Sequence, residues 1–119
     1  MKELKLHDAE YRFACIIWDN EPITSKELTI LCEKEMNWKR TTTYTVLKKL
    51  CEKGIFQNDY AVVTSLIKKE QIQRYESHQI LEKVFDNSLP AFLTAFMSDK
   101  KITKEEAEQL KKLIDEYQE

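Results

Sequence analysis

Residues 38–54 read WKRTTTYTVLKKLCEKG. Arg40, Thr41, Thr42, Thr45, Lys48 and Lys49 supply guanidinium, hydroxyl and ammonium groups over ten positions. Cations neutralise phosphates. Threonine hydroxyls and methyls reach phosphate oxygens or base edges. At about 100° per residue, Thr43, Val46, Leu47, Leu50 and Cys51 share one side of a helix, and Thr41, Thr42, Thr45 and Lys49 share the other, with Lys48 and Lys53 beside them. Residues 39–53 hold five basic residues and the single acid Glu52, a local charge of +4 in a chain of net charge −2. Gly54 stands where a glycine commonly ends a helix. This is the pattern of a helix that enters a groove of double-stranded DNA, although any solvated amphipathic helix also carries lysines outside.

The preceding segments would hold that helix in place. Asp8 opens and caps an apolar helix running to Trp18, with Phe13, Ile16 and Ile17 inward, and residues 19–22 (DNEP) end it. Thr24 and Glu27 have capping-box spacing, with Ile23 placed to staple onto the second helix. Leu28, Leu31 and Cys32 face inward there, and the helix stops near Met36 and Asn37. Trp18 and Trp38 are read as structural rings at helix junctions. Two short helices followed by a basic third make a helix-turn-helix. After Gly54 the period changes. Residues 55–57 and 60–64, around a polar Asn58-Asp59, read as a β-hairpin, the wing of a winged helix.

Residues 68–86 form one long helix. Ser88 and Pro90 start a second carrying Phe92, Leu93, Phe96 and Met97, and a Thr103/Glu106 capping box opens a third. Three slender amphipathic helices bury too little by themselves, so a partner chain is expected. The predicted fold is mainly α with a small β-hairpin: a winged helix-turn-helix domain over residues 1–66, then a helical dimerisation region over residues 67–119. Ile72, Leu81, Val84, Phe85, Phe92, Leu93, Phe96, Leu110, Leu113 and Ile114 are the expected dimer contacts.

Composition excludes several classes. With 42% hydrophobic residues the chain can build a core. One glycine and two prolines leave little turn chemistry and favour helix. No apolar run is long enough to span a membrane and no signal peptide opens the chain, so a cytoplasmic protein without membrane insertion is expected. Cys15, Cys32 and Cys51 are too far apart for a zinc site or a disulfide framework. His7 and His78 have no catalytic partners in the pattern, and pairs such as Glu105-Glu106 are ordinary solvated positions. No catalytic, metal or cofactor site is expected.

The chain resembles the penicillinase and methicillin-resistance repressors and their copper-responsive relatives. The similarity rests on Asp8-Ala9-Glu10 leading to Trp18, and on Trp38, Thr42, Thr45, Leu47, Leu50, Lys53 and Gly54. Less specific helical motifs in family order cover most of the remainder. The resemblance implies winged-helix homodimers on palindromic operators that repress resistance genes, with derepression through a membrane sensor-protease. The sequence departs from the family in three places. Asn58-Asp59-Tyr60 replaces a longer, basic wing turn, which leaves wing-to-backbone contacts open. The scissile Asn-Phe bond aligns with Ala95-Phe96, so poor cutting is expected. The copper-sensing cysteine cluster is replaced by an acidic end, so no copper response is expected. Two other readings stand beside the repressor: a winged-helix protein-interaction module, such as an antirepressor or adaptor, and a thiol-responsive regulator using Cys32 or Cys51.

Overall fold

The computed structural model describes residues 4–118. The element order is α1 (Asp8–Asn20), β1 (Ile23–Thr24), α2 (Ser25–Met36), α3 (Arg40–Glu52), β2 (Phe56–Asp59), β3 (Val62–Ser65), α4 (Lys69–Val84), α5 (Leu89–Met97) and α6 (Lys104–Tyr117). Helices dominate, with a small antiparallel sheet ordered β1-β3-β2. Among the described residues no helix is long and apolar enough to cross a membrane.

The first compact unit ends at His78. Its core gathers Phe13, Ala14 and Ile17 from α1, Leu28 and Cys32 from α2, and Leu47 and Leu50 from α3, with Ile55, Phe56 and Val63 from the wing side. Polar bonds then fix the order of the pieces. Thr24 caps α2 by accepting from the Glu27 N–H at 3.1 Å. Asn37, at φ 55°, ends α2 in the left-handed region that asparagine tolerates. Glu21 accepts from the Ser65 N–H at 2.8 Å and from the Ser65 hydroxyl, joining the end of α1 to the end of β3. The Trp18 indole N–H donates to the Ile67 carbonyl at 3.1 Å.

Four local expectations are corrected. His7, in extended conformation, precedes α1, and Asp8 is its first helical residue; the His7 N–H donates to Glu10 Oε1 at 2.9 Å. Ile23 and Thr24 form a strand rather than only a helix lead-in, paired with Val63 and Val62. The hairpin turn is Tyr60-Ala61, because Asn58 and Asp59 continue β2 opposite Val63 and Val62. Both turn residues have positive φ, 51° and 65°, the signature of a two-residue hairpin turn matched to strand twist. Ile72 belongs to the core of the first unit and is fully buried there, so it is unavailable to a partner chain. It sits one turn into α4, where the helix still packs on the winged-helix core.

The second unit begins at Gln79. α4 stops at Val84 because Asp86 and Asn87 turn into the left-handed region, and the Asn87 N–H returns to the Leu81 carbonyl at 2.9 Å. Ser88 caps α5 through the Ala91 N–H, and Thr103 and Glu106 form the capping box of α6. Phe85 and Phe92 meet edge to face with centroids 5.3 Å apart. Yet no described residue from Gln79 onward is buried. Leu81, Phe85, Phe92, Leu93 and Leu110 are half-buried, whereas Val84, Phe96, Leu113 and Ile114 are exposed.

Candidate nucleic-acid interface

α3 is held from below and behind. Thr43, Leu47 and Leu50 are buried, and Val46 and Cys51 are half-buried beside them. Trp38, just before the helix, stacks on Phe13 with centroids 5.5 Å apart, and its backbone N–H donates to the Cys32 carbonyl at 3.3 Å. These contacts fix both the start of α3 and its rotation about its own axis. The turn after it is fixed by Gly54, at φ 81°, with its N–H on the Cys51 carbonyl.

The outward face then follows from helical period. Arg40, Thr41, Thr42, Thr45, Lys48 and Lys49 are all exposed, on one helix. The first turn of α3 contains no acid, so cationic and hydroxyl groups stand at the positive end of the helix dipole. The Thr45 hydroxyl donates to the Thr41 carbonyl at 2.9 Å. Its proton is thus engaged inside the helix, and what Thr45 offers outward is a methyl group and an acceptor oxygen.

Lys49 is differently placed from the other cations. Its Nζ lies 2.8 Å from Glu10 Oε2, so its ammonium reaches back to α1. Lys53 Nζ donates to the Lys5 carbonyl at 2.9 Å. Burial raises the Glu10 carboxyl, but hydrogen bonds from Lys49 and the His7 N–H, with the Lys49 and Lys53 charges, outweigh it and hold the group below the usual carboxylate range.

Tyr44 is a participant that helical patterning alone did not single out. The Arg40 guanidinium carbon lies 5.8 Å from the centre of the Tyr44 ring, a cation–π contact. Ser25, at the start of α2, and then Arg40 favour the Tyr44 phenolate and lower its titration below the ordinary tyrosine range. The available signal was the four-residue spacing of Arg40 and Tyr44, which places them one turn apart on a helix.

The wing carries different chemistry. β2 and its turn present Gln57, Asn58, Asp59 and Tyr60 to solvent, with no cation among them, and Tyr60 is 97% exposed. The Ala61 carbonyl accepts from the Ser25 N–H at 2.9 Å, so the wing tip is moored to the start of α2.

Cys32 and Cys51 are held as thiols. Cys32 is fully buried and desolvation pushes its thiol up to about 11, against the opposing pull of the Thr43 hydroxyl. Burial, with the nearby Glu52 charge, also raises Cys51. Both thiols stay protonated at neutral pH, and the thiolate is the reactive form. His7 and His78 are exposed and far apart in sequence, and no described cluster of His, Cys, Asp and Glu is arranged to hold a metal ion.

The chain is 24% identical to the penicillinase repressor of Bacillus licheniformis over 122 residues, an alignment covering 98% of this chain and 95% of that protein. The family model described as "Penicillinase repressor" matches residues 6–116, which takes in the winged helix and nearly all of the helical region; the chain belongs to the penicillinase repressor family.

Proposed function

We propose that this chain is a DNA-binding transcriptional repressor that sits as a homodimer on a palindromic operator controlling a resistance or stress operon, in the cytoplasm. The observation that carries the reading is the exposed edge of α3, where Arg40, Thr41, Thr42, Thr45 and Lys48 stand together on a helix whose opposite face is locked into the core. Arg40 and Lys48 would take phosphate or guanine, and Thr42 and Thr45 base edges or phosphate. Family membership supports repression of transcription through DNA.

The second unit supports dimerisation. It buries none of its described residues while exposing Val84, Leu89, Leu113, Ile114 and Tyr117, more apolar surface than a small helical unit leaves in water without a partner. In the dimer the two α3 helices would stand about 34–36 Å apart, to enter successive major grooves on one face of the duplex. Ala95 and Phe96 lie exposed in α5. Without the family's asparagine at position 95, a penicillinase-type sensor-protease should cut there poorly.

A second reading, a protein-interaction module, draws on the acidic, cation-free wing with its exposed Tyr60. Salt dependence separates the two. Binding through several phosphates must weaken steeply between low and physiological salt. The full chain titrated on operator-length duplexes should show that steep fall. Salt-insensitive binding, or none, overturns the DNA reading and favours the interaction module.

A further inference from the structure

Lys49 is exposed on the cationic helix, yet its charge is already spoken for. The Glu10 side chain is 9% exposed and the Lys49 side chain 54%, and the two meet at 2.8 Å. The other carboxylate oxygen of Glu10 accepts from the His7 N–H. Just past the end of α3, Lys53 is bonded to the Lys5 carbonyl and adds positive field at Glu10. The cations at the C-terminal end of α3 thus hold the segment before and within α1, while Arg40 and Lys48 make no ion pair among the described residues.

The energetic asymmetry decides where Lys49 stays. An exposed lysine gains modestly from a phosphate in high dielectric. Moving there would strand a nearly buried carboxylate without its partner, which is strongly unfavourable. We infer that Glu10 is a positioning residue that withholds Lys49 from the DNA backbone and leaves the cationic contacts of α3 to Arg40 and Lys48. The inference rests on the DNA-binding reading above. Phosphate contacts supply sequence-independent affinity, and base-edge contacts supply discrimination. Withholding one cation per subunit therefore removes one sequence-independent contact per subunit and lowers the salt dependence of binding.

The test uses the full chain and a fluorescent mixed-sequence duplex of about 30 base pairs, with affinity followed across a potassium chloride series. Glu10→Gln keeps an acceptor for the His7 N–H and frees Lys49. It should steepen the slope of log affinity against log salt by about 0.9 per subunit and tighten low-salt binding about threefold. Lys49→Gln should leave the wild-type slope unchanged, and Glu10→Gln/Lys49→Gln should return to it. Circular dichroism confirms that each variant is folded at the assay temperature. Should Glu10→Gln fail to fold, Lys49→Gln decides alone: a wild-type slope upholds the inference, and a slope shallower by about 0.9 per subunit places Lys49 on phosphate and overturns it. A folded Glu10→Gln with the wild-type slope overturns the inference while the DNA reading stands. A wild-type chain that binds no duplex overturns both.

Discussion

Thr45 shows how much a single side chain's role depends on its local bond. Its hydroxyl proton is donated to the Thr41 carbonyl, so in the proposed DNA contact it would meet a base with a methyl and a lone pair rather than as a donor. Thymine methyl contact, or acceptance from a cytosine or adenine amino group, fits those two features. Thr45→Ala should cost about 1–3 kcal/mol of operator affinity and relax preference at one base pair, read by competition among single-base operator variants. Glu10 supplies a pH prediction at the same scale. Its folded carboxyl titrates below the unfolded value of about 4.3, so the unfolded chain binds the proton more readily. The stabilisation is full above that unfolded value and is lost as pH falls through the folded one. Acid titration of the melting temperature should show a shallower acid limb for Glu10→Gln than for wild type.

Among the elements, the wing combines a regular register with awkward turn residues. Asp59 pairs with Val62, leaving Tyr60 and Ala61 to adopt positive φ, where glycine and asparagine are at ease and other residues are strained. Tyr60→Asn/Ala61→Gly should therefore stabilise the first unit by about 1–2 kcal/mol in urea unfolding. The same variant removes a ring that is 97% exposed and contributes no core packing. α3 and α1 are joined differently, by Trp38 on Phe13 and by Lys49 on Glu10, so α3 has both an apolar and an ionic register.

For the whole molecule, the division within α4 sets where the chain can be cut. Residues 1–66 omit Ile72, which is fully buried, and the Ile67 carbonyl that holds Trp18. A fragment ending at residue 78 keeps both and should fold as a monomer. It should bind the operator weakly, because linking two modest sites multiplies affinity through effective concentration. In the full chain, Leu113→Glu places a charge on an exposed apolar face of α6 and should convert a sedimenting dimer to monomer without unfolding the first unit. A dimeric 1–78 fragment, or a Leu113→Glu dimer, would contradict the proposed role of residues 79–119.

Periodicity was enough to place α3 and its outward residues, because a helix fixed by Thr43, Leu47 and Leu50 has only one face left for solvent. Caps were nearly as legible: Thr24, Ser88 and Thr103 each accept from the backbone N–H three positions on, a bond decided within a few residues. The two-residue strand β1 was not legible, since Ile23 and Thr24 become a strand only by pairing with Val63 and Val62, some forty residues away. The Tyr60-Ala61 turn was hidden for a similar reason: strand pairing on both sides, rather than turn propensity, forced it. Ile72 looked like any apolar residue of a long helix, and only the packed core assigned it to the first unit. The sequence by itself showed which groups could touch DNA. Tertiary structure alone showed that Lys49 is engaged, because its partner Glu10 lies on another helix, 39 positions earlier in the chain.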